Sequence, residues 1–165
     1  MTHVVVLADT HLRRGGHRRL PDSAYAHLGT ADLILHAGDI LVADILDELA
    51  GFAPVHAVLG NNDMEMVGLL PDELVLDVDG VRVGMVHDSG QAAGRAGRMR
   101  RRFPDAGVVV FGHSHIPWDA EGIDGQLLFN PGSPTERRRQ PVHTLGTLDL
   151  DGGLITGHRI HRLDT

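Results

Sequence analysis

The chain has 165 residues, a length that fits one domain, with 42% apolar and 22% charged residues, enough to bury a core and too apolar for disorder. Only 4% of residues are aromatic, so the core must come from Val, Leu, Ile and Ala, and the formal net charge of -7 weighs against a general binder of nucleic acid or anionic membrane. There is no cysteine, and all 15 Lys/Arg residues are arginine, which excludes disulfides, thiolate metal sites, cysteine nucleophiles, a Walker-type lysine and a Schiff base.

The first apolar run, Val4–Ala8, reads as a buried strand. It is too short and lacks the basic flank of a signal peptide, and no later stretch nears the roughly 20 apolar residues of a membrane span. A cytoplasmic protein without a membrane partner is expected. Pro21–Leu28 is a short helix. Asp32–Ala37 is a second strand, and Ile40–Ala50 a helix with Leu41, Ile45, Leu46 and Leu49 at helical spacing. Val55–Leu59 is a third strand. Glu73–Asp79 and Val81–His87 form a hairpin about Asp79-Gly80. Gln91–Arg102 is a weaker helix, interrupted by Gly94 and Gly97. Val108–Phe111, Gln126–Phe129, Thr144–Leu150 and Leu154–Ile160 complete the strands, the last two joined by Asp151-Gly152-Gly153. The order predicts an α/β fold whose early strands are parallel and buried and whose end is mainly antiparallel. The arginine runs 13–19, 98–102 and 137–139 read as solvated loops or faces.

Each of five strands is followed by groups that can bind metal: Asp9-Thr10-His11, Gly38-Asp39, Gly60-Asn61-Asn62-Asp63, His87-Asp88 and Gly112-His113-Ser114-His115. Ligand sites in open α/β sheets lie at the carboxyl ends of strands. Residues two apart in extended backbone face one side, so Asp9 with His11, and His113 with His115, can each face one cavity. Glycine before Asp39, Asn61 and His113 permits a sharp turn and close backbone approach. Each motif alone has a plain structural alternative: Asp39 as a helix N-cap, Asn61-Asn62-Asp63 as a loop. Five in succession, each at a strand end, point to one site.

The succession D-x-H, GD, GN with a following acid, His, and GH-x-H resembles the calcineurin-like metallophosphoesterase superfamily. His36-Ala37-Gly38-Asp39 and Asn130-Pro131-Gly132-Ser133 are similar to its small, single-domain phosphodiesterase branch, the YfcE group, which also takes in the retromer scaffold subunit Vps29. The resemblance runs nearly the whole chain. It implies a four-layer sandwich of two mixed β-sheets flanked by helices, in a single domain spanning 1–165. It also implies two divalent metal ions, one held by Asp9, His11, Asp39 and His115, the other by Asp39, Asn61, His87 and His113, with Asp39 bridging. The activity implied is hydrolysis of a small phosphate ester by in-line attack of a metal-activated water, with Asp39, Asn61 and His87 in catalytic roles. A donor set without sulfur suits Mn, Fe, Zn, Ni or Co better than Mg or Ca alone and does not choose among them; Mn is the first expectation.

Two departures bear on mechanism. Many relatives read His-Gly-His in the fourth motif and Gly-Asn-His in the third. Here His87-Asp88-Ser89 and Gly60-Asn61-Asn62 lack both imidazoles that could protonate a leaving group, so good leaving groups such as aryl esters are expected to be favoured, with His17 a substitute acid or simply a surface residue. His36 is expected to be packed near the site, Asp63 to orient its loop, and Asn130 and Ser133 to shape the rim. The alternative to an enzyme is a Vps29-like interaction scaffold; the complete ligand set favours the enzyme. A nuclease is disfavoured by the acidic charge and short length. Substrate and oligomeric state are left open.

Overall fold

The computed structural model describes residues 1–163. Ten strands and three helices follow in the order β1 (Thr2–Leu7), α1 (Asp22–Leu28), β2 (Leu33–His36), α2 (Ala43–Ala50), β3 (Val55–Ala57), β4 (Glu73–Val78), β5 (Val81–Val86), α3 (Arg95–Arg102), β6 (Val108–Val110), β7 (Trp118–Glu121), β8 (Leu127–Asn130), β9 (His143–Asp151) and β10 (Leu154–Leu163). They form two five-stranded sheets, β10-β9-β1-β2-β3 and β4-β5-β6-β8-β7. In the first, β1, β2 and β3 run parallel while β9 and β10 are antiparallel. In the second, β5, β6 and β8 run parallel, with β4 and β7 antiparallel at the edges.

Alternation along the strands divides the core. Val4, Val6, Ala8, Leu33 and Leu35 of one sheet pack against Val83, Met85, Val108, Val110 and Phe129 of the other. The opposite face of the first sheet, through Val5, Leu7 and Ile34, buries Ala24 and Leu28 of α1 and Leu49 of α2. The outer face of the second, through Val86, Val109 and Leu128, buries Met99 of α3 and Phe103. Helix, sheet, sheet, helix is the four-layer sandwich expected from the resemblance. With each fully buried Val, Leu or Phe contributing roughly 1.5–3 kcal/mol, the central double layer holds the parallel strands in fixed register.

Both hairpins turn as the sequence suggests. Asp79 and Gly80, and Gly152 and Gly153, all have positive φ, the pairing that right-twisted strands need in a two-residue turn. The two turns touch each other, Gly153 N–H donating to Asp79 O at 2.8 Å, at the end of the sandwich where β1 begins. The opposite end is therefore the one that carries the strand termini with the motifs.

Three details differ from expectation. α2 begins at Ala43, after Val42 in extended backbone, so Asp39 is not its N-cap. α3 begins at Arg95, directly after Gly94 in left-handed backbone (φ 74°). The edge strand β7 has only one half-buried residue, Trp118, in Trp-Asp-Ala-Glu, and a run of that composition carries no strand signal. The 98–102 arginines are also not uniformly solvated: Arg98 donates to the carbonyls of Ser89, Ala93 and Gln91, tying down the loop that follows His87.

Candidate metal centre

The carboxyl ends of β1, β2, β3, β5 and β6 share one rim, because the first three are parallel in one sheet and the last two in the other. The backbone stitches the loops above them together: Asp9 N–H to Gly38 O (2.9 Å), His11 N–H to Asp39 O (3.0 Å), and Gly112 N–H to His87 O (2.9 Å). Across the two sheets, His113 N–H donates to Asp9 Oδ2 at 2.9 Å. All seven residues expected in the site, Asp9, His11, Asp39, Asn61, His87, His113 and His115, are brought together.

Five of them sit in left-handed backbone: Asp9 (φ 55°), His11 (47°), Asp39 (59°), His113 (72°) and His115 (62°). Each costs a non-glycine residue about 1–2 kcal/mol. The cost is met by the packed strands below, and its result is that the side chains turn inward at the strand ends. Two glycines make the convergence sterically possible. Gly38 has φ 99°, and a Cβ at Gly60 would lie 2.3 Å from Asp39 Oδ1.

Asp9, Asp39, His87 and His115 are buried, His11 and His113 half-buried, and Asn61 exposed. His115 Nε2 lies 3.6 Å from Asp9 Oδ1, and His11 Nε2 3.9 Å from the same oxygen. Asp39 Oδ2 is 3.4 Å from His11 Nε2 and 3.4 Å from His87 Nε2. Asn61 Oδ1 is 2.9 Å from His87 Nε2 and 3.2 Å from His113 Nδ1. His87 Nδ1 lies 2.7 Å from Ala37 O, and His115 Nδ1 contacts Glu136 O. A carbonyl only accepts, so each Nδ1 carries a proton, and His115 Nε2 faces the centre as a bare lone pair while His87 Nε2 faces Asn61 Oδ1 and Asp39 Oδ2.

Burial governs the charges here. It pushes the Asp9 carboxyl up to about 7 against the pull of His87 and lowers His11 and His115, the latter to about 4. At Asp39 burial is outweighed by its contact with His87 and two donors from Asn62, so that carboxylate is held well below the usual range. His87 is raised, because its carboxylate neighbours overcome its burial.

Among the described residues, three buried atoms of this centre, Asp9 Oδ1, His11 Nε2 and His115 Nε2, have no hydrogen-bond partner. They form one group of candidate metal ligands within 4.8 Å of one another, and Asp9, Asp39 and His87 form a second. Acceptors converging without a donor are satisfied by a cation and by little else, and the carboxylate–imidazole set suits a divalent one.

Neighbours complete the frame. The Asp63 carboxylate accepts N–H groups from Asp39, Ile40, Leu41 and Gly60 at 2.7–2.9 Å. His36 is fully buried, accepting from Gly38 N–H at 3.2 Å and contacting Thr10 Oγ1 at 3.1 Å. Ser133 Oγ donates to Asp9 O at 2.8 Å, and Asn130 holds Gly112 O and Ser114 Oγ at 3.2 Å. Two further participants have roles the sequence did not assign. Asn62 donates its backbone and side-chain N–H groups to the two Asp39 oxygens at 2.9 and 3.0 Å. Glu136 reaches His11 Nδ1 with its carboxylate (3.5 Å) and His115 with its carbonyl. His17 is exposed and lines a cavity shared with His11.

A double β-sandwich whose strand ends gather carboxylates and imidazoles around a cation-binding centre defines a metal-dependent phosphoesterase. The Calcineurin-like phosphoesterase superfamily domain matches residues 1–153, and the chain belongs to that family. It is 34% identical over 149 residues to a protein of Methanothermobacter thermautotrophicus named "Probable metallophosphoesterase", covering 89% of this chain and 85% of that one. Zinc-complexed Vps29 of Entamoeba histolytica superposes with a TM-score of 0.78 at 22% identity, over 98% of each chain. A structure described as a novel archaeal phosphodiesterase superposes with a TM-score of 0.74 at 20% identity, over 98% of this chain and 99% of that one.

Proposed function

We propose that the chain is a phosphodiesterase that acts on small phosphate esters with two divalent cations. The observation that carries this reading is Asp39 Oδ2, equidistant at 3.4 Å from His11 Nε2 and His87 Nε2. One carboxylate oxygen thus neighbours an imidazole of each proposed ligand set, as a bridging ligand would. One ion would be held by Asp9, His11, Asp39 and His115, the other by Asp39, Asn61, His87 and His113, with Mn the first candidate and Fe, Zn, Ni or Co next. Such a pair supplies positive charge to the phosphoryl oxygens and lowers the pKa of a water from about 15.7 towards about 7.

The remaining work belongs to the chain. The carbonyls of Ala37 and Glu136 fix the tautomers of His87 and His115, so no reorganisation accompanies binding. Asp63 and Asn62 hold Asp39 in place. Leaving-group protonation has no dedicated imidazole: Asn62 is committed to Asp39, and Asp88 Oδ1 accepts from Gly90 N–H at 2.8 Å. Aryl and other good leaving groups are therefore favoured, with His17, which lines a cavity shared with His11, as a substitute acid.

The test is hydrolysis of bis-p-nitrophenyl phosphate with Mn before and after chelation. Turnover should vanish on chelation and return with Mn. Metal binding without turnover for any divalent ion would overturn the reading and leave a scaffold of the Vps29 kind, the alternative that the shared fold supports.

A further inference from the structure

We propose that the cavity beside His11 is a second anion subsite, so that preferred substrates carry a second phosphoryl group besides the ester that is cleaved. This rests on the phosphodiesterase reading. The cavity, about 390 Å³, is lined by His11, Arg13, Gly16, His17 and Arg18. It shares His11 with the metal centre, so both are within reach of one small ligand.

Charge is unevenly spread on this acidic chain. The loops 13–19 and 137–139 bring together seven of the 15 arginines. The loops adjoin, since His17 and Arg18 line a common cavity with Pro134 and Thr135, and Arg18 lies 3.4 Å from Glu136 Oε2. Carboxylates answer several of them: Arg14 pairs with Asp44 and Glu65, Arg18 with Glu136, Arg19 with Asp22. Arg13 is exposed and pairs with no carboxylate among the described residues. A guanidinium presents a planar fork that matches two phosphate oxygens, and His17 adds a ring N–H beside it.

The other flank of the centre is opposite in character. The cavity next to Asn61 and His87, about 500 Å³, has an apolar lining from Leu59, Met64, Val67 and Val86, together with the carboxylates Asp72 and Asp88. Its one arginine, Arg102, is already paired with Glu73. Besides buried Asp63, the exposed carboxylates Asp72 and Asp88 repel a phosphoryl group here, while the apolar lining suits an uncharged organic arm. The two flanks therefore orient a substrate, with its second anionic group towards Arg13.

The test is calorimetric binding of adenosine 3′,5′-bisphosphate and adenosine 5′-monophosphate to the Mn-loaded protein. The bisphosphate should bind about tenfold more tightly or better, and Arg13→Gln should reduce that ratio severalfold. Arg13→Glu should abolish it. Arg82→Gln, which removes a charge paired with Asp77 on the second sheet, should leave the ratio intact. Equal affinities in the native protein, or an undiminished ratio in both Arg13 variants, would overturn the subsite. Because the readout is binding, an intact preference without any diester turnover would sink the phosphodiesterase reading and leave the subsite standing.

Discussion

Asp63 holds Asp39 by its backbone: Asp63 Oδ2 accepts the Asp39 N–H at 2.9 Å, and the same carboxylate takes three further N–H groups from Ile40, Leu41 and Gly60. These donors belong to two loops after neighbouring parallel strands, so one buried side chain fixes the spacing between the loops that carry Asp39 and Asn61. Hydrogen bonds to a charged group are worth about 1.5–3 kcal/mol each, and donors left buried without a partner cost about as much. Asp63→Ala should lower unfolding stability by about 3 kcal/mol or more, and metal binding should weaken with it. Asp63→Asn, which keeps one acceptor oxygen, should be milder. Denaturant unfolding checks both; a loss under 1 kcal/mol for the alanine variant would remove Asp63 from the frame.

Two carboxylates, Asp9 and Asp39, and the Nε2 atoms of His11, His87 and His115 face one another at the centre. A ligand that binds only the native state at a thousandfold excess over Kd stabilises it by about 4 kcal/mol. For a chain of this size that is worth roughly 8–16 °C in Tm. Chelation should lower the melting temperature by an amount of this order, and re-addition of Mn should restore it. An unchanged melting curve after metal removal verified by elemental analysis would contradict the site.

Acid should unfold the protein for a reason that lies just behind the centre. His36 is fully buried and neutral, its burial lowering it to about 3, and His115 is lowered to about 4 in the metal-free protein. Both bind a proton more readily unfolded, near 6.5, than folded. The stability they support is complete above pH 6.5 and is lost as the pH falls from there towards 4. At about 1.4 kcal/mol per unit, His36 accounts for roughly 3–4 kcal/mol of the loss between pH 6.5 and 4. Asp9, raised to about 7, acts in the opposite sense: folded and protonated it stabilises at low pH, and that contribution is lost as the pH rises from 4 to 7. Unfolding free energies of the metal-free proteins between pH 4 and 7 should therefore fall more gently towards acid in His36→Gln and more steeply in Asp9→Asn. Parallel curves for all three proteins would refute the assignment.

What the sequence made legible, and what it did not, divides along physical lines. The strand ends could be read because apolar β-runs stopped at Gly, Asp, His and Asn. Spacing of two within Asp9–His11 and His113–His115 then said which side chains share a face. The reason those residues turn inward could not be read: positive φ at five non-glycine residues is imposed by the packing of two sheets, not by local propensity. Asp39 illustrates the difficulty. Its place before an apolar run looks like a helix cap, but left-handed backbone at Asp39 and the grip of Asp63 delay the helix to Ala43. Asn62 passed for a loop residue because its function is to donate to a side chain 23 residues earlier.

Glu136 was invisible for the same reason and gives the sharpest remaining prediction. Its carboxylate lies 3.5 Å from His11 Nδ1, and its carbonyl contacts His115 Nδ1. One residue thus contacts both imidazoles of the candidate ligand group Asp9, His11 and His115, and not His87 of the other group. Its own backbone N–H is held by Ser133 Oγ at 2.7 Å, and Arg18 shares its carboxylate. Removing a carboxylate that orients a ligating imidazole typically costs 10–100-fold in metal affinity. Glu136→Ala leaves the carbonyl contact to His115 and removes only the support of His11. Calorimetric titration with Mn should then show two binding steps, one weakened by about tenfold and the other unmoved. Equal weakening of both steps, or of neither, would mean that Glu136 acts only as part of the loop.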